Sequence, residues 1–337
     1  MTAAAASPAF LKAASTNLPG VVLCFVIAGA ATFLAEHYGA PVMLFALLLG
    51  MALSFLGTEQ TAAAGVQLTS RTVLRIGVAL LGVRITLGDA VALGWQPLVL
   101  VLVAVVATIL VSIGLARLMG FNPLFGLLSG GATAICGASA ALALAAALPA
   151  HPGKERATLF TVIGVSILST VAMIIYPMIA RSLDLSDIQA GIFLGGTIHD
   201  VAQVVGAGLS MSPEVGDTAT LVKLIRVAFL LPVIVVASFI AKTSAGPQAG
   251  KRPPLLPWFA LLFIVFMTIR SLGWIPDLIL ETAQEVSRWC LVASMAAIGM
   301  KTQFSELAAV GPKPAVLMLL ETTFLAVLVL SALTWLL

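Results

Sequence analysis

His199, Asp200 and Gln203 fall within five positions of one another, in the stretch LGGTIHDVAQVVGAG at 194–208. An imidazole titrates near neutral pH, so His199 suits proton transfer. Asp200 reads as a protonation or cation site. Its bland alternative is an acceptor for His199 or for freed backbone N–H groups. Gln203 lies four residues after His199, on the same helical face. Its amide suits a substrate oxygen, or it ties two helices together. His199 has no further ligands clustered around it, so no metal site is expected.

A second set lies upstream. Ser129, Thr133, Cys136 and Ser139 bring small polar groups beside Gly130, Gly131 and Gly137. They suit a substrate, and they equally suit close helix packing. Lys223 and Arg226 share one helical face inside an apolar span. Arg226 suits an anion through its planar fork, or it pairs with Asp200 or Glu321. Arg84 and Lys301 read as anchors or gates. His37 and His151 sit at helix ends, where no special role is needed. The three cysteines, Cys24, Cys136 and Cys290, are too far apart to suggest a disulfide or a cluster.

These groups need elements to hold them, and composition says which. Of 337 residues, 61% are hydrophobic and 9% are charged. Soluble domains carry about 25% charged residues, so the chain reads as an all-α polytopic membrane protein. Apolar runs of about 18 residues or more read as membrane spans. Eleven are expected: 18–36, 41–57, 71–88, 96–119, 122–150, 157–181, 186–211, 216–242, 257–273, 280–301 and 313–337. Residues 1–17 form an N-terminal segment without the layout of a cleavable signal. A polar linker is expected near 242–257. The distribution of Lys and Arg puts the N-terminus in the cytoplasm and the C-terminus outside.

The chain matches itself twice. At an offset of 217, LGVRITLGDAVALGWQPLVL (81–100) meets IGMKTQFSELAAVGPKPAVL (298–317). Arg84 then meets Lys301, and Asp89 meets Glu306. The copies fall on the third and tenth expected helices, seven places apart, so they point opposite ways, which is an inverted-topology repeat typical of secondary transporters. At an offset of 65, GLLSGGATAICGASA (126–140) meets GIFLGGTIHDVAQVV (191–205). Each of these segments reads as a helix broken near its glycine pair, Gly130–Gly131 or Gly195–Gly196 followed by Thr197. Glycine weakens a helix interior, and unwound backbone inside a bilayer needs protein or water around it. Full spans would make the two broken helices parallel, whereas an inverted pair is antiparallel.

GVRITLGDA, SGGATAICGASA and GGTIHDVAQVVGAG followed by LVKLIRV resemble the YeiH family of bacterial inner-membrane proteins, over nearly the whole chain. The family is named for sulfate export. The resemblance implies export of sulfate or a related small anion, and some relatives are associated with organosulfonate use. GVRITLGDA is also similar to the end of an early helix in bile acid/sodium symporters. That implies an architecture like theirs and that of sodium/proton antiporters: a scaffold bundle, a core bundle and two broken helices crossing near the midplane. The second half departs from that pattern, because its broken helix comes first.

The expected function is therefore a secondary transporter of a small anion such as sulfate or a sulfonate. Its expected substrate contacts are Gly130, Gly131, Thr133, Cys136, Gly137, Ser139, Gly195, Gly196, Thr197, Gln203 and Arg226. Its expected ion-coupling residues are His199, Asp200, Lys223 and Glu321, with proton or sodium as coupling ion. An anion channel with the same site is the alternative. There is no HExxH motif, GxSxG elbow or convincing nucleophile–base pair, so catalysis is not expected. No cofactor or nucleic acid is expected. The partners are a small anion, the lipid bilayer and, as an open option, a second copy in a homodimer.

Overall fold

Long runs of Leu, Val, Ala and Ile satisfy their backbone polar groups internally only as helices or closed barrels. Every regular element among the described residues of this computed structural model is helical. The structure describes residues 8–39, 41–57, 59–149, 153–244, 257–302 and 311–336. The 242–257 linker lies almost wholly outside them, as do His151 and Glu306. Five stretches are long and apolar enough to cross a membrane: Ser15–Tyr38, Gln96–Leu118, Lys154–Ser182, Pro213–Phe239 and Pro312–Thr334. The chain is a helical membrane protein.

The helices sort into two bundles by what they touch. The first holds α1 (Pro8–Tyr38), α2 (Val42–Ala52), the short α3 (Ser54–Gly57), α4 (Gln60–Leu68), a π turn at Thr69–Val73 and α5 (Leu74–Leu81). The short α6 (Leu87–Ala92), α15 (Trp258–Ser271) and α16 (Asp277–Lys301) complete it. Glycines let its backbones approach closely. A Cβ on Gly20 would strike Ala62 of α4, and one on Gly50 would strike Ala296 of α16.

The second bundle holds α7 (Gln96–Leu118), α8 (Pro123–Ala134), α9 (Ala138–Ala147), α10 (Lys154–Ser182), α11 (Asp187–Thr197) and α12 (Val201–Leu209). It also holds α13 (Pro213–Ala228), α14 (Leu230–Ser244) and α17 (Pro312–Leu336). The two bundles meet chiefly where α12 packs on α2 and α16.

Both broken segments reverse direction. In the first, Gly131 of α8 lies against Leu144 of α9. Leu127 and Leu128 cluster with Leu144 and Leu148. These pairs are antiparallel, so α8 and α9 form a hairpin with its turn at Ile135–Gly137. In the second, α11 runs parallel to α13, with Gly191 against Thr218 and Gly195 against Val222. The next helix, α12, runs antiparallel to α13, with Gly208 against Gly216. Its far end also returns to its start: Ser212 Oγ donates to Asp187 Oδ2 at 2.8 Å.

The two hairpins enter from opposite ends of the bundle. At the first end, Ala116 of α7, Phe125 of α8 and Leu317 of α17 cluster, with Ala157 of α10 packed on them. Lys154 Nζ donates to Leu148 O at 2.7 Å there. At the second end, Arg181 Nη2 donates to Ser210 O at 3.3 Å. The expected spans at 122–150 and 186–211 are thus corrected: each is two short helices folded back. A helix of 9–12 residues rises only about 14–18 Å, too little for a bilayer core of about 30 Å. The reversal also removes the expected parallel pair.

The glycine pairs do not make the breaks. Gly130 and Gly131 lie inside α8, and Gly195 and Gly196 inside α11. They are contact points. A Cβ on Gly130 would strike Ser112 of α7, and one on Gly195 would strike the Ala219 carbonyl. The first turn is made by Gly137, at φ +61°, a region glycine enters without steric cost. The second is made by Ile198 and His199 in extended or irregular backbone ahead of Asp200, the N-cap of α12.

Candidate functional site

The two hairpin tips meet. His199 Nδ1 lies 3.1 Å from Thr133 O, and the carbonyl can only accept, so Nδ1 carries the hydrogen. His199 Nε2 lies 3.0 Å from Thr322 Oγ1 of α17. His199 is fully buried.

A helix that ends inside a protein frees carbonyls and leaves a partial negative charge of about one half. Here two such ends, those of α8 and α11, converge. Two cations from α13 cover them. Arg226 donates from Nε to Ala134 O at 2.9 Å and from Nη2 to Thr133 O at 2.9 Å. Its Nη1 reaches Gly195 O and Ile198 O, both at 3.1 Å. Lys223 Nζ donates to Ile135 O at 2.8 Å, Ile198 O at 2.9 Å and His199 O at 2.5 Å. Both cations are buried. An unpaired buried carbonyl costs about 1–3 kcal/mol, so these seven bonds explain why two cations are kept at this depth.

This corrects the expected partners of Arg226. Among the described residues the ion pairs are Arg84–Asp217 and Arg288–Glu285. Neither Asp200 nor Glu321 pairs with Arg226. Its fork is filled by backbone carbonyls, which leaves it no free donor pair for an anion in this conformation. Lys223 is likewise a cap on the tips.

Glu321 sits on α17, fully buried. Its Oε1 contacts Ser112 Oγ at 2.5 Å and Ser129 Oγ at 2.7 Å, and its Oε2 contacts Thr133 Oγ1 at 3.1 Å. Asp200 is half-buried at the start of α12. Its carboxylate accepts from Ala202 N at 3.4 Å, and its own N–H donates to Ser169 Oγ at 3.0 Å. Gln203 Nε2 lies 3.5 Å from Thr170 Oγ1, while its Oε1 has no partner among the described residues.

Thr197 turns inward on its own helix, donating to Phe193 O at 2.6 Å. Cys136 is buried in the first turn, beside Gly137. Ser139, two residues on, is exposed. The structure therefore joins Thr133, His199, Lys223, Arg226 and Glu321 in one network, and sets Asp200, Gln203 and Ser139 around its edge. Sequence reasoning missed Ser112, Ser169, Thr170 and Thr322. Each is a hydroxyl in an apolar helix, and the one local signal is the place of Thr322 next to Glu321.

Two opposed hairpins, a cation-capped junction and a polar network inside apolar helices define a polytopic membrane protein with a buried central junction. The chain belongs to the YeiH/UPF0324 family: residues 19–318 match the family described as Conserved hypothetical protein 698. A UPF0324 membrane protein of Chlorobaculum tepidum is 53% identical over 94% of this chain and 89% of its own length. The UPF0324 membrane protein TauZ of Paracoccus denitrificans is 52% identical over 92% of this chain and 93% of its own. One from Rhizobium meliloti is 49% identical over 96% and 94%. No solved structure matches.

Proposed function

We propose that this protein is a secondary transporter of a small anion, sulfate or a sulfonate, working by alternating access in the bacterial inner membrane. One observation carries the reading: two hairpins, in the segments that match at the 65-residue offset, meet tip to tip from opposite ends of the bundle. That is the inverted arrangement expected of a carrier whose site lies between its repeats. On this reading each of the other nine expected segments crosses the bilayer once.

The electrostatics favour an anion. Lys223 and Arg226 cancel the carbonyl ends of α8 and α11. The amide ends of α9 and α12 remain, and such ends attract anions. Asp200 already caps α12. No side chain caps α9, whose N-cap is Gly137. Its first turn carries Ser139, which is exposed. Gly137 and Ser139 are therefore the expected anion contacts, with Gln203 nearby. Arg226 acts at one remove, by holding the tips.

Folding the hairpins back also sharpens the orientation. Lys154 and Arg156 move to the end that holds Arg117, and Arg181 moves to the end that holds Arg84. Basic residues then concentrate further at the first end, which supports a cytoplasmic N-terminus and a periplasmic C-terminus.

Counterflow in proteoliposomes tests the reading. Vesicles loaded with unlabelled sulfate should accumulate labelled sulfate transiently, at a rate that saturates. Ser139→Leu should abolish uptake without loss of the folded protein. Asp200→Asn should keep the fold and lose gradient-driven accumulation. Non-saturating flux without counterflow would replace the carrier with a channel.

A further inference from the structure

The network around Glu321 holds more hydrogen-bond contacts than its three hydroxyls have hydrogens. Four O···O contacts of 3.1 Å or less meet in this network. Ser112 Oγ lies 2.6 Å from Gly126 O and 2.5 Å from Glu321 Oε1. Ser129 Oγ lies 2.7 Å from Oε1, and Thr133 Oγ1 lies 3.1 Å from Oε2. The Gly126 carbonyl only accepts, so the hydrogen in that contact is the single hydroxyl hydrogen of Ser112. None remains on Ser112 for Oε1. Ser129 and Thr133 supply one each to their own contacts. Three hydroxyls have three hydrogens, and four contacts need four. Two oxygens at 2.5 Å without a hydrogen between them repel.

We infer that Glu321 carries the fourth hydrogen: it is a neutral carboxylic acid in this conformation and a proton-binding site of the protein. The surroundings agree. No cation lies within ion-pair distance of Glu321 among the described residues. Within α7 the charged residue is Arg117, and within α10 they are Lys154, Glu155, Arg156 and Arg181, all near helix ends. Within α11 it is Asp187, also at an end, and α8 has none. The nearest charged or titratable groups act through one residue. Arg226 and His199 both donate to the Thr133 carbonyl, and His199 also contacts Thr322.

Losing the proton to water would leave a carboxylate whose best remaining donor, Ser112, is committed to Gly126 of α8. Ser112 would have to turn from α8 to α17. Proton release is thereby tied to loosening the α7–α8–α17 contact, which holds one side of the first hairpin. If the transporter reading holds, on which this step rests, Glu321 is where a coupling proton binds.

The test begins with infrared spectroscopy of the purified full-length protein at neutral pH. Wild type should show a carboxylic-acid C=O band that shifts in heavy water. Glu321→Gln should lose it. Gln is the isostere of the neutral acid and keeps a donor toward Ser112, so the variant should melt as wild type does. Absence of the band in wild type, its persistence in Glu321→Gln, or a wild-type melting point that rises with sodium would overturn the proton assignment. In proteoliposomes, sulfate accumulation by wild type should respond to an imposed pH gradient and that by Glu321→Gln should not. A retained response would overturn the coupling role. Loss of counterflow in wild type would instead remove the transporter reading, with the infrared result still standing.

Discussion

Arg84 Nη2 lies 3.2 Å from Asp217 Oδ2, an ion pair that joins the two bundles at the second end. Arg84 follows α5 in the first bundle, and Asp217 lies in the first turns of α13 in the second. Lys301, which aligns with Arg84 at the 217-residue offset, bonds within its own bundle, to Gln67 Oε1 at 2.6 Å and Ser70 Oγ at 3.3 Å. The cross-bundle link is thus present at one end among the described residues, as expected of a latch that closes one side.

The latch predicts a change in opening with little change in stability. Both side chains are about a quarter exposed, and a pair this wet contributes about 1 kcal/mol or less. Arg84→Ala should leave the melting temperature nearly unchanged and speed labelling of Ser210→Cys, in the cleft between bundles, by a membrane-impermeant maleimide. The swap Arg84→Asp with Asp217→Arg should slow labelling again. Equal labelling in all three would remove the latch.

Arg226→Ala should destabilise the fold by about 1–3 kcal/mol for each buried carbonyl it leaves unpaired. Arg226→Lys should be intermediate, because an ammonium cannot span both tips as a planar fork does. Adding Asp200→Asn or Glu321→Gln should not restore Arg226→Ala, since the stranded groups are carbonyls. Thermal melting in detergent decides, and rescue by either second change would return Arg226 to a carboxylate partner.

The two glycines of the 195–196 pair should differ sharply. A Cβ on Gly195 would strike the Ala219 backbone, which cannot yield, whereas one on Gly196 would touch Val329 at 3.4 Å, an ordinary contact. Gly195→Ala should therefore lower the melting temperature well below that of Gly196→Ala. Equal effects would mean that α11 does not pack on α13 at Gly195.

Asp89 gives a small pH signature outside the apolar spans. Its carboxylate accepts from Thr86 N at 2.8 Å and Thr86 Oγ1 at 2.8 Å. The backbone bond first, and the hydroxyl second, hold its pKa below the usual carboxylate range. A depressed folded pKa adds stability above the unfolded value, and loses it as pH falls through the folded one. Asp89→Asn should lower the melting temperature slightly at neutral pH, and the gap from wild type should close in acid. A gap that is constant with pH would assign the effect to the hydrogen bonds alone.

The sequence by itself determined that the chain lives in a membrane, because residues so apolar leave water whatever their arrangement. It also determined where the two interruptions fall, within a few residues, and that His199, Arg226 and Glu321 would be deep. It could not say that 122–150 and 186–211 fold back. A full span and a pair of half-length helices have the same composition and the same period, and only contacts such as Gly131 with Leu144 separate them. Nor could it say what Arg226 holds. Sequence displays side-chain partners, whereas the carbonyls of Thr133, Ala134, Gly195 and Ile198 become acceptors only once the two helices end there. Ser112 and Glu321 lie 209 positions apart, and nothing local marks that serine. The tertiary structure made the junction, because freed backbone groups and distant hydroxyls acquire chemistry only when packing excludes water from around them.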